Sequence, residues 1–168
     1  MIAEAQPDTP AIPLEEFDAE MTATRRLLER VPTERGPWKP HEKSFALGHL
    51  AQLVSTMPGW IARSLREPYI DLAEGAGYSF EPSTALVIAF DENVSAARRA
   101  LQQVTGAALA EPWSLRMGEQ VLMTSPRGPV VRMHLNHLIH HRGQLTVYLR
   151  LIDVPLPQIY GPTADEKW

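Results

Sequence analysis

The chain has no cysteine. Disulfides, thiolate metal ligands and a cysteine nucleophile are therefore excluded, and the composition suits a reducing compartment. Long apolar runs are missing as well: no stretch approaches the ~20 residues that cross a bilayer. The first thirteen residues carry acids and prolines where a secretory signal has a basic start and an apolar run. The expected location is the cytoplasm, with no membrane partner. Positive charge is sparse. The formal net charge is −4, and the basic pairs Arg25-Arg26 and Arg98-Arg99 are not extended into runs. That argues against nucleic acid as a partner, because phosphate binding needs concentrated positive charge. Several motifs are absent too. Without His-Glu-x-x-His or Glu-x-x-His, neither a zincin nor a carboxylate-bridged di-metal site is indicated. There is no Gly-x-Ser-x-Gly elbow, no Walker loop and no dinucleotide fingerprint.

What remains reads as helix. At 168 residues the chain is expected to form one domain with a substantial core. Residues 1–13 form a loose N-terminal arm, since Pro7, Pro10 and Pro13 oppose regular helix. A first helix is expected from Leu14 to about Val31. A second runs from about Phe45 to Leu65, with Ser44 as N-cap and a kink at Pro58. Residues 67–82 form a long linker. A third helix covers about Thr84 to Val104, capped by Ser83 and stopped by Gly106. Residues 111–124, with Gly118 between two apolar stretches, suggest a short hairpin or an extended lid. Ser125-Pro126 opens a last helix ending near Ile152. The expected fold is an all-α four-helix bundle over residues 14–168. It has a long connection between the second and third helices and a short extended segment before the fourth.

The chemistry of the chain is concentrated in its histidines. Four of the six fall within eight residues, at His134, His137, His140 and His141. His137 and His141 are spaced i, i+4, so on a helix their imidazoles stack one turn apart. That is the usual start of a helical metal site, which then needs a third ligand from elsewhere. Val130, Gln144 and Tyr148 share their side of the helix, and Leu138, Leu145 and Leu149 flank it, so this face should point inward. Burying imidazoles is costly unless each finds a partner. His49 on the second helix is the leading third ligand, and His134 and His140 are in reserve. His41 follows Trp38-Lys39-Pro40 in a loop, as a solvated or capping residue. Arg142 and Gln144 either orient an anionic or amide-bearing ligand or pack at a helix interface. Trp60, Trp113 and Tyr148 belong to the core or line a pocket.

Asn136-His137-Leu138-Ile139-His140-His141-Arg142-Gly143-Gln144-Leu145, followed by Tyr148-Leu149-Arg150, resembles the last-helix signature of the DinB-like superfamily. Trp38 through Ser44 leading into Leu47-Gly48-His49-Leu50-Ala51, and the tail from Val154-Pro155 to Ile159-Tyr160-Gly161-Pro162, are similar to the same group. The resemblance implies a four-helix bundle, often a homodimer. It also implies a divalent metal, nickel or zinc, held by one histidine of the second helix and two of the last. His49, His137 and His141 stand at those positions. The chain departs from its relatives at Gln52-Leu53-Val54, where they often carry acids, and at Pro58. Some relatives are transferases or isomerases that use low-molecular-weight thiols.

Two functions are therefore expected from the sequence. In the first, a divalent metal holds a small thiol as thiolate, or a water as hydroxide, for S-transfer or hydrolysis. His49, His137 and His141 are its ligands, and Arg142 and Gln144 act behind them or on the substrate. In the second, the protein is a non-catalytic dimeric helical bundle for stress response or small-molecule binding, with an idle or empty metal site.

Overall fold

The computed structural model describes residues 11–75 and 77–168, so residues 1–10 of the expected arm lie outside the described residues. The described residues form five α-helices and three strands: α1 (Leu14–Leu28), α2 (Leu47–Arg66), β1 (Tyr69–Asp71), α3 (Ser83–Gln103), α4 (Gly106–Ala110), β2 (Pro112–Met117), β3 (Gln120–Pro126) and α5 (Arg127–Leu151). Two short 3-10 turns, Thr33–Arg35 and Leu72–Glu74, follow α1 and β1. Among the described residues, no helix is long and apolar enough to cross a membrane.

The four long helices arise from apolar residues at helical spacing. Phe17, Met21, Leu27 and Leu28 of α1 are buried, as are Leu47, Leu50, Val54, Met57 and Ile61 of α2. They meet Leu86, Phe90, Ala97 and Leu101 of α3 and Val131, Leu135, Leu138, Leu145 and Leu149 of α5 in one core. Each fully buried side chain of this size stabilises the fold by about 1.5–3 kcal/mol. α2 is central and packs on both α3 and α5, while α1 closes the far side against the same two helices. Ile12, ahead of α1, is fully buried in this core. Glu15 and Glu16 in the first turn of α1, and Arg25 and Arg26 in its last, complement the helix dipole.

The expectation of an all-α four-helix bundle is corrected by the sheet and by α4. The linker between α2 and α3 supplies β1, which pairs in parallel with β2 at Tyr69↔Ser114, Ile70↔Leu115 and Asp71↔Arg116. β2 and β3 form an antiparallel hairpin, with a register irregularity between Leu115 and Arg116. Gly118, at φ +59°, makes its turn, and its N–H donates to Asp71 Oδ1 at 2.9 Å. Ile70 and Trp113 gain burial against Val130 and Trp60, forming a second, smaller core. A three-residue strand carries no readable period, so the sequence left this element inside a linker.

Several helix boundaries also differ. α1 ends at Leu28, since Pro32 disfavours helix at the residue before it. Ser44 does not cap α2; Ala46 holds that position, without a side-chain bond. The N–H groups of Leu47 and Gly48 donate instead to the carbonyls of Trp38 and Gly36, at 2.8 and 2.9 Å. α2 continues through Pro58. Pro82 precedes α3, so Ser83 is its first residue, and α3 ends at Gln103 because the chain turns extended at Val104. Gly106 opens α4. Ser125 is paired with Trp113 in the hairpin, so it cannot cap α5, which starts at Arg127 after Pro126.

Candidate metal centre

α5 presents Leu135, Leu138, Leu145 and Leu149 to the core and carries His137 and His141 at the edge of that face. Their Nε2 atoms lie 2.9 Å apart, with ring centroids at 4.6 Å. His141 Nδ1 lies 2.7 Å from Gln144 Oε1. An amide oxygen only accepts, so Nδ1 of His141 carries the proton and donates, which leaves a lone pair on Nε2. His137 Nε2–H then donates to that lone pair.

Both imidazoles are held below the ordinary histidine range. Burial is the main cause for His137, followed by repulsion from His141 and His140. For His141 the cause is again burial, opposed by the Gln144 bond and reinforced by His140. Both are therefore neutral at neutral pH, the state in which imidazole coordinates a metal.

His49 reaches the same region from α2 but does not join the pair. Its ring stacks on Tyr78 at 3.5 Å between centroids and meets Phe45 at a 36° tilt, at 4.4 Å. Phe45 also faces His141, at 6.2 Å. Burial, then the nearby Lys39 charge, lowers the His49 pKa. A cavity of about 280 Å³ opens here, bounded by Lys39, Ser44, Phe45, His49, Tyr78 and Phe80. Among the described residues, no group of three or more His, Asp or Glu side chains is assembled to hold a metal ion. The donor chemistry of His137 and His141 fits a divalent cation as two converging neutral nitrogens. His49 does not form such a group with them, and its ring lies against Tyr78 and Phe45.

The other expected residues fall into different places. His134 is buried at 5% exposure, and its Nε2 lies 3.0 Å from Ser64 Oγ. Trp60 and Trp113 meet it edge-on at 5.8 and 5.9 Å. Burial, then the His137 charge, pushes its pKa down to about 4. It is a core histidine. His140 is exposed and meets His141 edge-on at 5.0 Å. His41 Nδ1 accepts the Lys43 N–H at 3.2 Å, a capping contact.

Arg142 turns away from the pair toward α1. Its side chain is 2% exposed and pairs with Glu20 at 2.6 Å, and it also donates to the Glu20 carbonyl and to Tyr160. Those contacts use it for packing, so the substrate-orienting role falls away for Arg142. Gln144 does contact the pair. Trp60 stands over His137 at 6.0 Å, while Trp113 is fully buried and Tyr148 packs edge-on against Trp38. Tyr78 was not legible as a site residue, because it sits in a Gly/Pro-bounded linker without period. Phe45, beside the expected cap, carried no signal beyond its apolar character.

Three comparisons bear on this geometry. The family model described as "DinB family" matches residues 12–167. The chain is 29% identical over 158 residues to the uncharacterised Bacillus subtilis protein YrdA, covering 92% of this chain and 89% of that one. Among solved structures, the DinB-like protein YjoA of Bacillus subtilis superposes with a TM-score of 0.68 at 20% identity, covering 87% of this chain and 95% of the other. A DinB-like protein of Bacillus cereus superposes with a TM-score of 0.69 at 20% identity, covering 88% and 95%. The two structural likenesses speak to fold.

Proposed function

The chain belongs to the DinB family, and from that premise we propose that it binds a divalent metal, nickel or zinc, through His137, His141 and His49. The observation that carries the reading is the convergence of two neutral Nε2 atoms at 2.9 Å on one helix face. The Gln144 contact adds to it by fixing the His141 tautomer with Nε2 directed at its partner. Ring orientation is thus set in advance by the helix and by a side chain one turn along.

In this reading the histidines would hold a divalent cation, which would supply Lewis acidity that lowers the pKa of a small thiol or a water. The chain's own residues do the rest. His141 presents its Nε2 lone pair because Gln144 holds its proton at Nδ1, and His137 would offer its own Nε2 once that proton has moved to Nδ1. Trp60 lies beside His137 and Phe45 beside His141, which gives the pair an aromatic border while His137 stays exposed to solvent. The reaction class is transfer of a low-molecular-weight thiol, or hydrolysis, on a small molecule. A homodimer in the cytoplasm is the expected form.

A second reading is favoured by the absence of an assembled three-donor group among the described residues. Under it, the protein is a non-catalytic small-molecule binder or stress-response protein, and the histidine pair is idle.

Calorimetric titration with nickel tests the first reading. About one ion per chain is expected for the wild type, with uptake abolished in His137→Ala/His141→Ala. A wild type that takes up neither nickel nor zinc overturns it. Turnover of thiol substrates by the loaded protein separates an active site from an idle one.

A further inference from the structure

The cavity beside His49 has aromatic walls that face solvent. Of the four phenylalanines in the chain, Phe17 and Phe90 are buried in the main core. The other two, Phe45 and Phe80, are 42% and 56% exposed, and both line this cavity. Tyr78, 48% exposed, lines it as well. Rings left in contact with water forgo the stabilisation that burial gives, so three of them gathered on one concave surface mark a place for a ligand. These walls are fastened. Phe80 packs where α2 and the preceding loop have glycine: a Cβ on Gly48 would stand 2.7 Å from Phe80 Cδ1, and one on Gly36 3.3 Å from the same atom. Ser79 is clasped by Gln52, whose Oε1 accepts the Ser79 N–H at 2.9 Å and whose Nε2 donates to the Ser79 hydroxyl at 3.3 Å. A cavity whose walls are already held loses little freedom when it is filled.

The polar lining is sparse and unpartnered. Lys39 supplies an ammonium, Ser44 a hydroxyl and His49 an imidazole. Among the described residues, none of these three side chains has a hydrogen-bond or ion-pair partner. No carboxylate lines the cavity. Burial, then the Lys39 charge, lowers the His49 pKa, so the imidazole is neutral at neutral pH and Lys39 is the one cation of the lining. A single cation matches a single negative charge, and a hydroxyl beside it can donate to the same anion. At about 280 Å³ the cavity stands at the lower edge of small-molecule sites, which run to about 300–1,000 Å³. Its occupant is then a molecule of one or two rings.

We propose that this cavity binds a small aromatic carboxylate, with the ring against Phe45, Tyr78 and Phe80 and the carboxylate paired with Lys39. The site goes beyond the metal-binding reading, since none of these contacts needs a metal. Phe45 also faces His141 at 6.2 Å, so one ring borders both the cavity and the histidine pair.

Titration of the full chain with benzoate tests it, followed by protein NMR shifts in the presence of a chelator. The wild type should show saturable binding, with the largest shifts at Lys39, Phe45 and Phe80. Lys39→Met, which keeps the stem and removes the charge at an exposed position, should bind about tenfold more weakly. Benzyl alcohol, the neutral analogue, should bind the wild type about tenfold more weakly than benzoate and should not distinguish it from Lys39→Met. Tyr78→Ala should weaken benzoate binding about three- to tenfold. His137→Ala/His141→Ala should bind benzoate as the wild type does. No saturable binding by the wild type overturns the proposal, as does an unchanged benzoate affinity in Lys39→Met or Tyr78→Ala. Equal affinity for benzyl alcohol and benzoate overturns it too, and so does loss of binding in the double histidine variant, which would put the ligand on the pair. Because the chelator keeps metal out, this site and the metal-binding reading stand or fall separately.

Discussion

Single side chains decide whether the histidine pair is ready to bind. Gln144 fixes the His141 tautomer through a 2.7 Å contact. Replacing it with leucine keeps the bulk but removes the acceptor, so nickel affinity should fall by about 10- to 100-fold. Calorimetry on Gln144→Leu checks this; an unchanged affinity would remove Gln144 from the site. His134 gives a separate prediction, about stability. Its pKa falls from 6.5 to about 4 on burial, so the folded protein binds fewer protons than the unfolded chain between those values. Stability is then complete above pH 6.5 and declines as pH falls toward 4, by roughly 3 kcal/mol at most. His137, His141 and His49 shift in the same direction and add to the slope. Urea midpoints of wild type and His134→Gln at pH 7.5 and 5 provide the check. The wild type should lose more stability between the two pH values than the variant.

At the level of elements, helices were legible and their ends were not. The apolar stripe of α2 repeats over several turns, so Leu47 through Ile61 announced its buried face, whereas on α5 the buried side is that of Leu138, Leu145 and Leu149, expected only to flank the histidines, and His137 is exposed. Caps depend on what the neighbouring loop offers. Ser44 looked like an N-cap, but the Trp38 and Gly36 carbonyls already satisfy the first amides of α2. Ser125 looked like another, but the hairpin ladder claims it. β1 was unreadable because its three residues gain stability only from the distant β2. The candidate site was legible to the same degree. The i, i+4 pair is local to one helix and could be read directly. The aromatic contacts of His49 come from a linker whose path depends on tertiary packing. That packing yields a further prediction. Gly48 lies between Phe80 and the Gly36 backbone, and an added Cβ would sit 2.7 Å from the ring and 3.3 Å from Gly36 Cα. Gly48→Ala should therefore destabilise the fold by about 1–3 kcal/mol despite the better helix propensity of alanine. Thermal melts would show this as a clear drop in Tm; an unchanged or higher Tm would mean that Phe80 yields without cost.

Across the whole molecule, the C-terminal segment ties the helices together beside the site. Tyr160 donates to Glu20 of α1 at 2.9 Å and accepts from Arg142 of α5 at 2.7 Å. Glu166 reaches back to Arg26 and Arg30, and Asp165 pairs with Arg150. The outer pairs are half-exposed and contribute little each. Arg142 is different: it is almost wholly buried, and Glu20 is its only carboxylate partner among the described residues. Glu20→Ala leaves that charge uncompensated, with an expected loss of about 3–5 kcal/mol in urea unfolding. A loss under 1 kcal/mol would show that Arg142 finds another partner. This anchoring holds α5, and with it the His137–His141 pair, in a fixed rotation against α1. The account as a whole stands on that pair being a metal site. The most direct test is elemental analysis of the untagged protein as purified, beside His137→Ala/His141→Ala. The account predicts about one nickel or zinc per wild-type chain and none in the variant. A metal-free wild type, or equal metal in both proteins, would contradict it.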